Sequence, residues 1–309
     1  MIIDCAIIGG GPAGLNAALV LGRARRSVMV FDENKPRNAV TQESHGFLTR
    51  DGVKPDEFRS LAHQELNKYP SVEIQHVRVT AIRHAEASFE ITTEKGDRLS
   101  AKTVLLATGL KELLPTIEGL HDYYGKSVFC CPYCDGWELR ERPLAVISEG
   151  PHTLHLVKVV WNWSHDLLIC TNGHQLFTEE QQETLRKKGI EVVEDRITAL
   201  VGKQGQLERI VFATQEERRR EGGFVAPRLL QASPFGEVLG CEMNAVGGIV
   251  TDPLGRTTVP GVYAAGDISV AVPHQLIIAA AAGSRAAAGV NTDLTESEFL
   301  SERSEAAQG

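Results

Sequence analysis

The most regular feature of the chain is its spacing of short apolar runs. Ile2–Ile8 is almost wholly apolar and ends at glycines, the pattern of a strand covered on both faces of a parallel sheet. Leu15, Ala18, Leu19 and Gly22 then recur at helical spacing through residues 15–25. Residues 27–31 form a second apolar strand that stops at Asp32. Residues 103–109 read as another buried strand closing on small residues and returning to the same sheet. Around Leu114-Pro115-Thr116 the character changes and a second strand–helix alternation begins. Its expected strands are Leu144–Ile147, Leu167–Cys170 and residues 190–193, with helices over 153–163 and 179–188. That segment runs to about Gln231-Ala232-Ser233-Pro234. Residues 261–267 then read as a further strand of the first unit, with an apolar helix over 275–288 behind it. The polar stretch 291–309 is expected to fray.

Alternating strands and helices of this kind specify an α/β fold. The expected architecture is two nested, doubly wound, Rossmann-like nucleotide-binding domains, the second inserted in the first. Residues 1–116 and 235–309 are assigned to the first domain and 117–234 to the inserted one. The first turn reads Gly9-x-Gly11-x-x-Gly14, with Asp32 at the end of the next strand. Glycines there let backbone approach a pyrophosphate, the helix N-terminus supplies N–H donors, and the carboxylate takes ribose hydroxyls. The combination points to a dinucleotide.

Composition narrows the picture. A chain of 309 residues suits about two domains. A net charge of −8 argues against general nucleic-acid binding. The clusters Arg23-Arg25-Arg26, Arg140-Arg142 and Arg218-Arg219-Arg220 read first as solvated surface of mixed charge. No apolar run reaches the ~20 residues of a membrane span. No basic leader precedes the first strand, so a cytoplasmic setting is expected. Six cysteines in a chain this long are not a secreted disulfide framework. Cys131-Pro132-Tyr133-Cys134 therefore reads as redox or metal chemistry, and no metal is expected, because no second Cys-x-x-Cys or spaced His pair completes a zinc site.

Taken together, these motifs resemble the thioredoxin reductase family of small flavoprotein disulfide reductases. The resemblance rests on the glycine loop, Ala107-Thr108-Gly109, Cys131 to Gly136, and Thr257 to Asp267, and it covers nearly the whole chain. It implies FAD on Gly9, Gly11, Pro12, Ala13, Gly14, Asp32 and Glu33, with Val79, Thr108 and Gly109 beside them. Gly266 and Asp267 would hold the ribityl chain, and His274, Gln275 and Leu276 would lie at the flavin ring. Arg37, Asn38 and His45 would run along the cofactor, although His45 also reads as a satisfied structural histidine. The resemblance implies a homodimer as well.

One part of the family pattern is missing. The inserted strand should open into Gly-x-Gly-x-x-Ala for NADPH, but the chain reads Ser148-Glu149-Gly150-Pro151-His152-Thr153. A carboxylate there repels phosphate. The family's His-Arg-Arg cluster for the 2′-phosphate is replaced by Thr171-Asn172-Gly173-His174. NADPH use is therefore not expected. The chain is similar to ferredoxin-dependent flavin thioredoxin reductases, which lack these motifs, with ferredoxin as donor and thioredoxin or a similar disulfide as substrate. It also resembles FAD-dependent dithiol oxidases that pass electrons to oxygen, but those commonly carry His where this chain has Asp135. A flavin-binding redox sensor is the non-enzymatic alternative.

The resemblance assigns Cys134 to the flavin side and Cys131 to attack on the substrate disulfide, with Asp135 as the acid/base for the leaving sulfur. Cys130 is either simply packed or a resolving thiol. Cys5, Cys170 and Cys241 lie in or beside apolar strands and read as core. Tyr123, Tyr124, Trp161 and Trp163 read as core or domain interface rather than a binding platform.

Overall fold

The computed structural model describes residues 2–269 and 273–306, the last six as backbone only. The chain forms two compact units. The first comprises residues 1–37, 56–111 and 230–309, and the second 38–55 and 112–229. Residues 38–55 thus group with the second unit, whereas the sequence reading placed them in the first. The α/β class with nested sheets is as expected.

In the first unit, Ile2–Ile8 lies between Val28–Phe31 and Arg98–Leu106, parallel to both. Val72–Gln75 continues the sheet on one side, and Val262–Ala264 pairs parallel with the end of Arg98–Leu106. The antiparallel hairpin Val79–Ala85/Ser88–Thr93 joins through the start of that same strand. Side chains of the first strand alternate between two cores. Ala6 and Ile8 pack with Phe235 and Ile249, while Cys5 and Ile7 pack with Leu15, Ala18 and Leu21. Burial on both faces explains the continuous apolar run.

The helix after the glycine loop begins at Pro12, earlier than the periodicity suggested, because proline at the first helical position needs no hydrogen-bonded N–H. It packs against the Leu276–Ala306 helix so closely that a Cβ at Gly283 would sit 2.0 Å from the Ala13 carbonyl oxygen. The strand expected over 103–109 ends at Leu106, and the one over 261–267 gives way to a 3-10 turn at Gly266–Ser269.

The expected fraying of 291–309 is overturned, since the last helix continues to Ala306. Asn291, Asp293, Thr295 and Glu298 on this helix are each partnered. Arg26 donates to Asn291, Thr295 and Glu298, and Lys102 to Glu298. Arg256 forks onto Asp293 at 2.6 and 2.8 Å, and the Tyr263 hydroxyl donates to the same carboxylate. Residues 307–309 of that expectation lie outside the described residues.

The Arg256 hydrogen bond holds the Asp293 carboxyl below its ordinary range. A carboxylate depressed in the folded state stabilises above its unfolded pKa of about 3.9, and that contribution is lost as pH falls through the folded value. Thermal melts should therefore show a smaller drop between pH 6 and about pH 2 for Asp293→Asn than for the wild type. An equal drop would mean the fork contributes nothing measurable.

In the second unit, Glu191–Val193, Leu167–Cys170, Leu144–Ile147, Gly222–Val225 and Val128–Phe129 form a parallel sheet in that order. An antiparallel sheet of Ile197–Lys203, Gln206–Phe212 and Glu217–Arg219 accompanies it. Leu144–Ile147 is buried throughout, with Ala145 and Ile147 in one core and Leu144 and Val146 in the other. Among the described residues, no helix is long and apolar enough to cross a membrane.

Candidate active site

The glycine loop of the first unit is built for close approach. Gly9 has φ +116°, and a Cβ there would meet the Ala107 carbonyl oxygen at 2.3 Å. A Cβ at Gly14 would fall 1.9 Å from the Gly9 carbonyl oxygen, whereas the space at Gly11 is open. Gly11 caps the helix without a side chain, and the first turn, with Pro12, Ala13 and Gly14, holds no acid. The N–H groups of that turn are therefore free of side-chain caps, an anion-ready geometry.

Asp32 stands against Gly10, at the end of Val28–Phe31, and is buried. One carboxylate oxygen is paired with Arg59, itself 7% exposed, and the other accepts from the Asn34 amide at 3.0 Å. Arg59 also donates to the Asn34 side chain at 2.7 Å. Nothing in the sequence marked Arg59, a single arginine within the Pro55–Leu66 helix. Glu33 is turned to solvent, 3.7 Å from Lys35.

Asp267 opens the 3-10 turn after Val262–Ala264. Arg37 Nη2 reaches it at 2.7 Å and His274 Nδ1 at 3.4 Å. Burial pushes its carboxyl up, but the neighbouring His274 imidazole and the Arg37 charge outweigh that and leave it below its ordinary value. Gly266 has φ +81° and a Cβ there would lie 2.9 Å from that of Ala13, so this turn abuts the glycine loop's helix. Thr108 Oγ1 lies 3.0 Å from Ser233 Oγ, another residue the sequence did not single out, and the Gly109 carbonyl accepts from the Ala232 amide. Val79 is buried at the start of its strand, and Gln275 and Leu276 open the last helix. Asn38 and His45 instead belong to the second unit.

There, Cys131 and Cys134 form a disulfide with Cα atoms 5.3 Å apart. Pro132 starts the one-turn helix Pro132–Asp135, and the amides of Cys134 and Asp135 both donate to the Cys131 carbonyl at 3.1 Å. Asp135 is 9% exposed. Burial, aided by the Glu138 charge and opposed by His45, pushes its carboxyl up to about 7. His45 is ringed by carboxylates, with Asp51 at 3.5 Å, Glu43 at 3.7 Å and Glu138 at 3.8 Å. Only the spatial return of residues 38–55 to this unit brings His45 to the motif.

Tyr133 and Trp137 flank the disulfide with well over half of each side chain exposed. Arg140 stacks 4.0 Å over the Trp137 ring, and Tyr133 meets Trp163 edge-on. Trp161 stacks on His165 at 4.2 Å, and Tyr123 is buried. Cys130 donates to Glu112 and packs beside the core that contains Tyr124 and Val128. Cys5, Cys170 and Cys241 are buried, and burial pushes the thiols of Cys5 and Cys170 up to about 12.

The loop after Leu144–Ile147 is closed on itself. Ser148 Oγ lies 2.7 Å from Thr153 Oγ1, which donates to the Gly150 carbonyl at 2.6 Å. Glu149 accepts from Asn172 Nδ2 at 2.5 Å, and Asn172 Oδ1 accepts from the Ile197 amide at 2.8 Å. No group of metal-ligating side chains occurs among the described residues.

A family model for pyridine nucleotide-disulphide oxidoreductases matches residues 3–283. A solved structure of a putative thioredoxin reductase TrxB from Bacillus anthracis is 47% identical, with TM-score 0.93 over 96% of this chain and 100% of that one. Thioredoxin reductase aclD of Aspergillus oryzae is 31% identical over 96% of this chain and 98% of its own length. A probable thioredoxin reductase of Arthroderma benhamiae is 38% identical over 57% of this chain, a match that takes in 45% of that protein.

Proposed function

The chain belongs to the pyridine nucleotide-disulphide oxidoreductase family, and we infer that it is an FAD-dependent disulfide reductase of thioredoxin reductase type whose electron donor is ferredoxin rather than NADPH. Its acceptor in this reading is the disulfide of thioredoxin or a similar protein. The observation that carries it is a redox-spaced disulfide followed directly by a buried carboxyl held near neutrality.

The residues of the first unit fit FAD. The Gly9–Gly14 cradle would be filled by any side chain at Gly9 or Gly14, and it aims uncapped amides where a pyrophosphate needs them. Asp32, fixed by Arg59, keeps lone pairs for ribose hydroxyls. Asp267, held ionised by Arg37 and His274, suits the ribityl hydroxyls. Bound FAD would supply the two-electron carrier that links donor to disulfide.

The chemistry of the chain itself lies at Cys131 and Cys134. With both reduced, the Cys131 thiolate attacks the partner disulfide, forming a mixed disulfide and expelling one partner sulfur. Asp135, protonated up to about pH 7, donates to the sulfur that leaves. Cys134 then attacks Cys131 and expels the second partner sulfur, its own thiol proton passing through the Asp135 carboxylate to that sulfur. The partner gains two electrons and two protons, and the Cys131–Cys134 disulfide is restored.

Support for a donor other than NADPH comes from Glu149. Its carboxylate occupies the turn where a pyrophosphate would approach, and Asn172 fixes it there. Thr153 spends its hydroxyl on the same turn, and no arginine follows Leu167–Cys170. Equilibrium titration of the FAD-loaded protein with NADPH should give a Kd weaker than about 1 mM. A micromolar value contradicts the donor assignment.

An acidic enzyme and an acidic ferredoxin need a local basic patch to meet. Arg26 is committed to the last helix, whereas Arg140 and Arg142 are exposed beside the cysteine motif. Arg140→Glu/Arg142→Glu should weaken ferredoxin coupling without changing FAD content. Wild-type coupling should fall with salt as screening shortens the field to about 8–10 Å. A rate indifferent to both would remove this docking patch.

A further inference from the structure

Beside the redox pair stands a third thiol that the exchange steps do not use. Cys130 follows the Val128–Phe129 strand and is half-buried against the core that contains Tyr124 and Val128. Its Sγ donates to Glu112 Oε1 at 3.4 Å, and the other oxygen of Glu112 accepts from the Tyr124 hydroxyl at 2.5 Å. Among the described residues it is the one cysteine outside the disulfide that is not buried.

A thiol next to a disulfide is a chemical hazard. As a thiolate, Cys130 could attack the sulfur of Cys131 or Cys134. A new S–S bond would form, the old one would break, and the displaced cysteine would leave as thiolate with no net oxidation. The product is a wrongly paired, inactive motif. Only the thiolate does this.

Glu112 opposes ionisation in two ways. Its negative charge disfavours a second anion at hydrogen-bond distance, and the S–H donor would be lost with the proton. Tyr124 keeps the carboxylate in place. Burial, and then the neighbouring Cys130 and Glu112, push the phenol far above its ordinary value, so it is a constant donor. We propose that Glu112, oriented by Tyr124, holds Cys130 as a neutral thiol and so keeps the redox disulfide in the Cys131–Cys134 register.

The proposal rests on the disulfide-exchange reading for its purpose, but its test does not need flavin, ferredoxin or thioredoxin turnover. The oxidised protein is labelled with iodoacetamide at pH 7.5 and mapped by peptide mass spectrometry. Cys130 should label slowly in the wild type and at least about tenfold faster in Glu112→Gln, because a charge this close shifts a titrating group by about 1–3 pH units. Glu112→Asp, which keeps the charge, should label at an intermediate rate and carries the test if the Gln variant does not fold. In a second arm the protein is reduced with dithiothreitol and reoxidised in air. The wild type and Cys130→Ser should recover Cys131–Cys134 pairing, Glu112→Gln should accumulate disulfides containing Cys130, and Glu112→Gln/Cys130→Ser should restore the native pair. Equal labelling of wild type and folded Glu112 variants, or native pairing in all of them after reoxidation, overturns the proposal. Failure of the reductase reading would leave both arms unchanged and would show instead as absent turnover in the wild type.

Discussion

Cys134→Ser is expected to reduce turnover of a protein disulfide to the uncatalysed background while leaving FAD content unchanged. Serine cannot serve as the thiolate nucleophile, and with Cys134 gone nothing resolves the mixed disulfide that Cys131 forms. The variant should therefore trap thioredoxin covalently through Cys131, visible as a reductant-sensitive adduct. Cys131→Ser should be equally inactive but should trap much less, since the attacking sulfur is missing. Both sulfurs are held by the same turn, whose amides converge on the Cys131 carbonyl, so neither substitution disturbs the fold around it. A trap formed by Cys131→Ser instead would mean the two roles are exchanged.

Asp135→Asn should slow disulfide reduction by about 10²–10⁴, the span of a lost acid/base group. The sign of its pH dependence follows from burial. Asp135 titrates near 7 rather than at its ordinary value, so the proton available to the leaving sulfur is present below that pH and lost above it. The wild-type rate of the exchange step should fall through a limb near pH 7, and the Asn variant should lack that limb. The same substitution should cost no stability. A carboxyl whose pKa is raised by folding destabilises the native state increasingly as pH rises from its unfolded value to its folded one. At pH 8 the Asn variant should thus melt no lower than the wild type. A large loss of both activity and melting temperature would indicate structural damage rather than loss of an acid.

The glycine loop and the Cys-x-x-Cys motif were legible because each is local. Gly9, Gly14 and Pro12 announce a tight strand-to-helix turn whatever surrounds it, and the cysteines are spaced to close one turn. The apolar runs Ile2–Ile8, Leu144–Ile147 and Leu167–Cys170 became strands with those bounds, since a strand covered on both faces has no other pattern to follow. What the sequence hid is non-local. The helical second half of Leu276–Ala306 depends on Arg26, Lys102 and Arg256, which come from distant strands and turns. The placing of His45 among Asp51, Glu43 and Glu138 follows from the grouping of residues 38–55 with the second unit. Arg59 behind Asp32 and Glu112 behind Cys130 are single charges whose partners lie far along the chain. No periodicity or spacing announces such pairs.

Anaerobic absorbance of the FAD-loaded protein reads directly which donor delivers the electrons. NADPH, NADH and reduced ferredoxin are added in turn, followed by oxidised thioredoxin. Ferredoxin should remove the oxidised-flavin absorbance, thioredoxin should restore it, and neither nicotinamide should change it on the same timescale. Rapid bleaching by micromolar NADPH would rule out ferredoxin as the required donor. So would an inert response to ferredoxin together with peroxide formation from a dithiol and oxygen at comparable turnover.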